Sequence, residues 1–334
     1  MGRSTSIREV AARAGVSVGT VSNVLNHPDL VSEGTRGRVL AAIDDLGFVR
    51  NESARQLRAG RSRTIGLVVL DVANPFFTDV ARGVSVTAGN EGLAVILCSS
   101  DDSGESERRY LALLEEQRVQ ALLITPIDVS HERLVQLHRR GMAVVLLDRQ
   151  SSRSDQCSVS IDDIAGGDLA ASHLLRKGHR AFTYVTGPLA IKQCRDRREG
   201  AVRALRRASL SEDALAAVEQ PAMNAGAGRD AGRRLLASGS PPTAVFCAND
   251  LLALGVMRTL LEDGVGIPKD TAVVGYDDIE FAASAAVPMT SVRQPRLLLG
   301  QTAAEPALNE AEDTGHHTHR HVVFQPELIV REST

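Results

Sequence analysis

Apolar positions recur along this chain at two periods, and the change from one to the other divides it. Near the start, Ile7, Val10, Ala11 and Ala14 fall at i, i+3, i+4 and i+7, the single buried stripe of an amphipathic helix. Ser6-Ile-Arg-Glu9 ahead of it has the form of a capping box, and Gly15 supplies the permissive backbone to end it. A second helix opens at Ser17 with Val21, Val24 and Leu25 inward, and a third at Ser32 with Val39, Leu40, Ile43 and Leu46 inside. Residues 51–58 suit one more short helix, shorter than the ~12–15 residues at which an isolated helix holds in water, so it needs a partner to fold. Residues 59–63 are a polar, glycine-containing linker.

From Thr64 the pattern becomes strand-like apolar runs alternating with amphipathic stretches. The runs are 65–70, 94–99, 121–125, 143–148, 182–187, 243–248 and 271–276. Such alternation predicts right-handed βαβ units and parallel sheets covered on both faces. Seven strands with their helices exceed one compact sheet at this length, so the expectation is two doubly wound subdomains. The predicted organisation is multi-domain: an all-α helix-turn-helix head over 1–50, a hinge helix and linker over 51–63, and an α/β body over 64–334. Within the body, one subdomain takes about 64–162 and 293–325 and the other about 163–290, with crossovers near 161–163 and 289–293.

Charge sharpens this division. The chain carries −3 overall, but residues 1–63 hold ten arginines against six carboxylates, leaving a head of +4 on a body of −7. A basic module on an acidic body suggests nucleic-acid binding by the head. No apolar run approaches the ~18 residues of a membrane span, and no stretch of signal-peptide character opens the chain, so a cytoplasmic protein without membrane contact is expected. The four cysteines are scattered without a C-x-x-C pair, which points to reduced structural thiols.

Residues 7–26 closely resemble the helix-turn-helix signature of the lactose/galactose-repressor (LacI/GalR) family. Further matching stretches follow in order: 31–39, 54–57, 65–69, 74–77, 147–149, 242–250, 274–278 and 327–334. The resemblance implies a homodimeric transcription regulator, with repression the leading reading, that binds double-stranded operator DNA. It further implies a periplasmic-binding-protein-like body controlled by a small polar effector, a sugar or related metabolite. Ser17, Val18, Gly19, Thr20, Ser22, Asn23 and Asn26 occupy the family's contact positions. Short polar side chains there suit phosphate oxygens; Val18 suits a thymine methyl and Asn23 an adenine, where family members often carry an arginine that reads guanine. Arg36, Asn51 and Arg55 are expected at phosphates. Ala54 and Leu57 stand where the family inserts a hinge helix into the minor groove.

Ligands of open α/β sheets lie beyond the carboxyl ends of the strands, which places Asn74, Phe76, Phe77, Asp148, Asn249 and Asp277 around a cleft. Arg197, three residues before Gly200, matches the family's effector arginine. Ala201 follows where the family usually has an aromatic residue, and the chain has no Trp, which weakens the case for ring stacking. No nucleotide-binding glycine motif is present and no cofactor is expected. The run from His316 to His321 reads as a solvated loop rather than a metal site, because no cysteine or carboxylate is spaced to complete one. His173 and His179 have no evident catalytic partner, so an enzyme on the same body is the weaker rival.

Overall fold

Ser6 starts the first helix by the reciprocal capping that its sequence suggests. Its backbone N–H donates to Glu9 Oε2 at 2.6 Å, and its Oγ accepts from Glu9 N at 3.4 Å, satisfying amides that the helix leaves open. The computed structural model describes residues 5–48, 62–127, 132–239, 241–312 and 317–334. The chain divides between Arg61 and Ser62 into two units. In the first, α1 (Ile7–Ala14) ends at Gly15, whose φ of 65° is left-handed, and leads into α2 (Val18–Asn26). A single 3-10 turn, Pro28–Leu30, precedes α3 (Glu33–Asp45). Val10, Ala11, Ala14, Val21, Val24, Val39 and Ala42 form the core. Leu40, expected inside, is 50% exposed: it lies one residue past buried Val39, a turn of about 100° away from the inward stripe.

The second unit holds two six-stranded sheets. The first comprises β1 (Thr64–Val69), β2 (Ala94–Ser99), β3 (Ala121–Ile124), β4 (Ala143–Leu147), β5 (Ser158–Ile161) and β11 (His321–Phe324), in the order β11-β5-β4-β3-β1-β2, all parallel. The second comprises β6 (Phe182–Thr186), β7 (Leu215–Glu219), β8 (Ala244–Cys247), β9 (Ala272–Asp277), β10 (Thr290–Arg293) and β12 (Glu327–Ile329). Its order is β12-β10-β9-β8-β6-β7, with only β12 antiparallel. The seven apolar runs are β1–β4, β6, β8 and β9. Of the five strands beyond them, β5 and β10 are interrupted by serine or threonine and β7, β11 and β12 are partly exposed, so they lack a continuous apolar run. The chain passes between the sheets three times, after β5, after β10 and between β11 and β12.

Helices α4 (Pro75–Asn90) and α12 (Arg296–Glu312) cover one face of the first sheet, and α5 (Gly104–Glu116) with α6 (Glu132–Arg139) cover the other. The second sheet is covered by α7 (Asp163–Arg176), α8 (Lys192–Arg207), α9 (Ala225–Ala237) and α10 (Asp250–Glu262), and the four-residue α11 (Glu280–Ala283) follows β9. Helices α7 and α8 touch backbone to backbone. A Cβ on Gly167 would sit 1.9 Å from Arg197 O, and one on Gly200 would sit 2.0 Å from Ile164 O, so only glycine fits at either place. No helix among the described residues is long and apolar enough to cross a membrane.

Candidate functional site

In the first unit, Ser17 caps α2 by accepting from Thr20 N at 3.1 Å, and its hydroxyl lies 2.9 Å from Thr20 Oγ1. Asn26 Nδ2 donates to Ser22 O at 2.9 Å. Ser17, Thr20, Ser22 and Asn26 are therefore bonded along the helix while Val18, Gly19 and Asn23 face outward, Val18 42% exposed. An exposed first turn at a helix N-terminus is the geometry by which a helix-turn-helix presents side chains to a major groove. Arg36, in the first turns of α3, is half buried. Asn51, Ala54, Arg55 and Leu57 lie outside the described residues.

In the second unit, both sheets run their first strands in the doubly wound order, β2-β1-β3-β4-β5 and β7-β6-β8-β9-β10, so the crevice between their carboxyl ends is the place for a ligand. Asn74, Phe76, Phe77, Asp148, Arg197, Asn249 and Asp277 all line one cavity there, together with Leu70, Gln193 and Met223. Two side-chain pairs join its lips. Asn74, at the start of α4, donates from Nδ2 to Asp277 Oδ2 at 3.2 Å, and Gln193 on α8 donates to Asp148 Oδ2 at 2.7 Å. What remains open is about 30 Å³, room for about one water, whereas small-molecule sites span about 300–1,000 Å³. A larger cavity of about 290 Å³ adjoins it, walled by Asp148, Gln193, Asp163 and Lys192.

Arg197 is held from within. Its Nε donates to Asp163 Oδ1 at 2.8 Å, its Nη1 to Ala248 O at 2.6 Å, and its guanidinium carbon stands 3.7 Å from the centre of the Tyr276 ring. Burial works against this cation, but Asp163, Tyr276 and Asp277 around it more than offset that and keep it firmly protonated. Asp148 and Asp277 close β4 and β9 on left-handed backbone, φ 53° and 106°, which favours glycine and marks stored strain at both lips. Burial pushes the Asp148 carboxyl up to about 7, helped by nearby Asp163 and opposed by Arg149, Arg197 and Gln193. Burial also raises Asp277 to about 6, against the pull of Arg197, Asn74 and Gln294.

Phe76 and Phe77 serve twice, packed edge to face with ring centres 5.0 Å apart in the sheet core while lining the cavity. Asn249 is the N-cap of α10, accepting from Leu252 N at 2.9 Å and donating to Met223 O. Asp250 instead accepts from Ser291 Oγ at 2.6 Å and Ile279 N at 2.8 Å, tying the start of α10 to β10 and to the turn after β9. His173 and His179 bond Thr334 and Thr243 at 2.8 and 3.1 Å. Sequence reasoning missed Gln193, Asp163, Tyr276 and Gln294. Gln193 had a signal, lying one helical turn before Arg197 on the same face.

The histidine run, read as a solvated loop, is a loop with half-exposed and exposed positions over residues 317–320, but the fold brings other side chains to it. Cys157 and Glu310, distant in sequence from it or outside its spacing, come up against His317 and His319, so a cysteine and a carboxylate do complete the cluster. Spacing along the chain cannot reveal partners that the fold brings from another strand and helix.

Residues 6–51 match the model of bacterial regulatory proteins of the lacI family, and residues 171–334 match a periplasmic binding protein-like domain. The chain is 33% identical over 331 residues to the HTH-type transcriptional repressor PurR of Photobacterium profundum, covering 98% of each, and 34% identical to that of Vibrio atlanticus, covering 98% of this chain and 97% of the relative. Among solved structures, the lac repressor dimer bound to operator and the anti-inducer ONPF matches with a TM-score of 0.84 at 29% identity, over 99% of each chain. The regulator CelR in complex with cellobiose matches with a TM-score of 0.72 at 32% identity, over 99% of this chain and all of that one. With relatives at 33–34% identity matched over 97–98% of their length, this chain belongs to the lacI family of bacterial regulatory proteins.

Proposed function

We propose that this protein represses transcription in the cytoplasm as a homodimer on a two-fold-symmetric operator, and that a sugar-like metabolite between its two sheets sets its affinity for that DNA. The observation that carries the effector half is the convergence of Asn74, Asp148, Arg197, Asn249 and Asp277 on one cavity. That cavity is rich in acceptors without donors: Asp148 Oδ1, Gln193 Oε1 and the neighbouring Gln294 Oε1 make no hydrogen bond among the described residues. Buried acceptors left unmet cost about 1–3 kcal/mol each, so a ligand bearing several hydroxyls is favoured there. Phe76 and Phe77 supply the apolar wall. Cellobiose in CelR and ribose in a related regulator from Enterococcus faecium agree with that chemistry.

The lips are closed on their own side chains, so the ligand replaces the Asn74–Asp277 and Gln193–Asp148 bonds or extends into the adjoining cavity. It shifts the balance toward whichever form it binds better, and bound operator changes ligand affinity by the same factor. The DNA half rests on the exposed first turn of α2. No catalytic role is assigned to the body, its candidate histidines being tied to threonines.

The test is operator binding by fluorescence anisotropy, with and without a panel of mono- and disaccharides first ranked by thermal shift. A sugar that raises the melting temperature should change operator affinity about 5–150-fold, the usual range of allosteric coupling. Asp148→Asn should blunt that response while leaving ligand-free DNA binding intact. A variant that responds as the wild type does would move the effector site elsewhere.

A further inference from the structure

The histidine run leads to a second site, at the opposite end of the first sheet from the effector cleft. Cys157 immediately precedes β5, Glu310 lies in the last turn of α12, and His317 and His319 lie in the segment leading to β11. One ligand atom from each lies within 4.8 Å of all the others. Cys157 Sγ is 3.2 Å from His317 Nε2 and 3.8 Å from His319 Nδ1. A tetrahedral ion with bonds of about 2.0–2.3 Å spaces its ligands about 3.3–3.8 Å apart, so this cluster needs little movement to close on one.

Independent of that spacing, the cluster holds a buried carboxylate short of partners. Glu310 is 4% exposed, and its Oε2 makes no hydrogen bond among the described residues, while its Oε1 lies 3.2 Å from His138 Nδ1. The cysteine is fully buried. A carboxylate in such a place is costly unless a cation meets it. A cavity of about 380 Å³, bordered by His317, Thr302 and Asn309, lies beside the cluster at His317.

We propose that Cys157, Glu310, His317 and His319 bind one zinc-class divalent cation. A thiolate, two imidazoles and a carboxylate form the mixed S/N/O set that suits Zn²⁺ or Co²⁺ in four-coordination rather than the oxygen-only sets of Mg²⁺ or Ca²⁺. On binding, the thiol proton leaves to solvent. His138 Nδ1, 3.2 Å from Glu310 Oε1, stands where an outer group would support the carboxylate. The ion fastens the end of α12 and the approach to β11 onto the start of β5. Parallel register puts this at the amino ends of the strands, the end at which Ser62 brings the chain into β1.

The test uses tag-free full-length protein, reduced, stripped with a chelator and titrated with Co²⁺. One Co²⁺ per chain is expected, with the intense visible absorption of a tetrahedral site and a thiolate-to-cobalt charge-transfer band, both bleached by Zn²⁺. Cys157→Ser should lose the charge-transfer band. His317→Ala, at a half-buried loop position, should weaken Co²⁺ at least tenfold with an unchanged circular dichroism spectrum. His321→Ala should change nothing, since that ring instead pairs with Ser158 at 2.8 Å. Absence of stoichiometric Co²⁺, Co²⁺ bound without the thiolate band, or His317→Ala binding like wild type would each overturn the proposal, the last two indicating only surface histidines.

Discussion

Asp148 gives the effector cleft a pH dependence whose sign follows from its surroundings. Its carboxyl is raised to about 7 in the folded protein, against about 3.9 in an unfolded chain. The protonated form is favoured by folding, so the stability it contributes is present below pH 4 and is lost as pH rises through about 7. Asp148→Asn removes that loss: the melting temperature of the variant minus that of the wild type should climb from pH 5 to pH 8. A flat difference would mean that the buried carboxylate costs nothing. Arg197 makes the opposite case, a cation that the interior needs. Arg197→Ala strands Asp163 in a buried place and should cost about 3–5 kcal/mol in denaturant unfolding. Adding Asp163→Asn should recover part of it, whereas strict additivity would show that the pair does not interact. The strand-end residues of this site were legible because parallel strands direct their carboxyl ends to a common crevice. Asp163 and Tyr276 were not, since their contacts to Arg197 depend on which helix and strand lie side by side, and no local pattern states that.

At the scale of elements, the helices of the head were legible down to single caps, because capping and apolar period act within a turn or two. Ser17→Ala should cost the head about 1 kcal/mol, read by thermal unfolding, and should weaken operator binding by disturbing the first turn of α2. An unchanged melting temperature would show that the Thr20 hydroxyl or solvent replaces the cap. In the body, the strands that are continuous apolar runs were legible, while β5 and β10, interrupted by serine or threonine, and β7 and β12, partly exposed, were not. Gly200 illustrates a meaning that only packing reveals. Its resemblance placed it beside Arg197, but its physical role is to let α8 lie on α7, fixing Arg197 against Asp163. Gly200→Ala forces a methyl toward a backbone carbonyl and should cost about 1–3 kcal/mol or more, together with the effector response. A variant with full stability would require the helices to slide apart without consequence.

For the whole molecule, the alternation of strand and helix carried the two-sheet architecture, and the charge split between head and body pointed to DNA. What stayed hidden was long-range: the third passage between sheets, made through Gln325 and Pro326 alone, and the meeting of Cys157 with His317 across 160 residues. Both belong to the tail of the chain, where short elements return to sheets begun far earlier. The proposed homodimer, and the proposed gating of its grip on DNA, belong to this scale, and they make a geometric demand. Two heads on a two-fold axis must read half-sites about 34–36 Å apart or a multiple of that, with Asn23 favouring adenine where an arginine would favour guanine. The most direct measurement is a selection of the purified protein on randomised DNA duplexes, followed by salt titration of the enriched site. The account predicts a two-fold-symmetric site whose affinity falls steeply with salt. Enrichment of no symmetric site, either alone or with pooled sugars present, would contradict it.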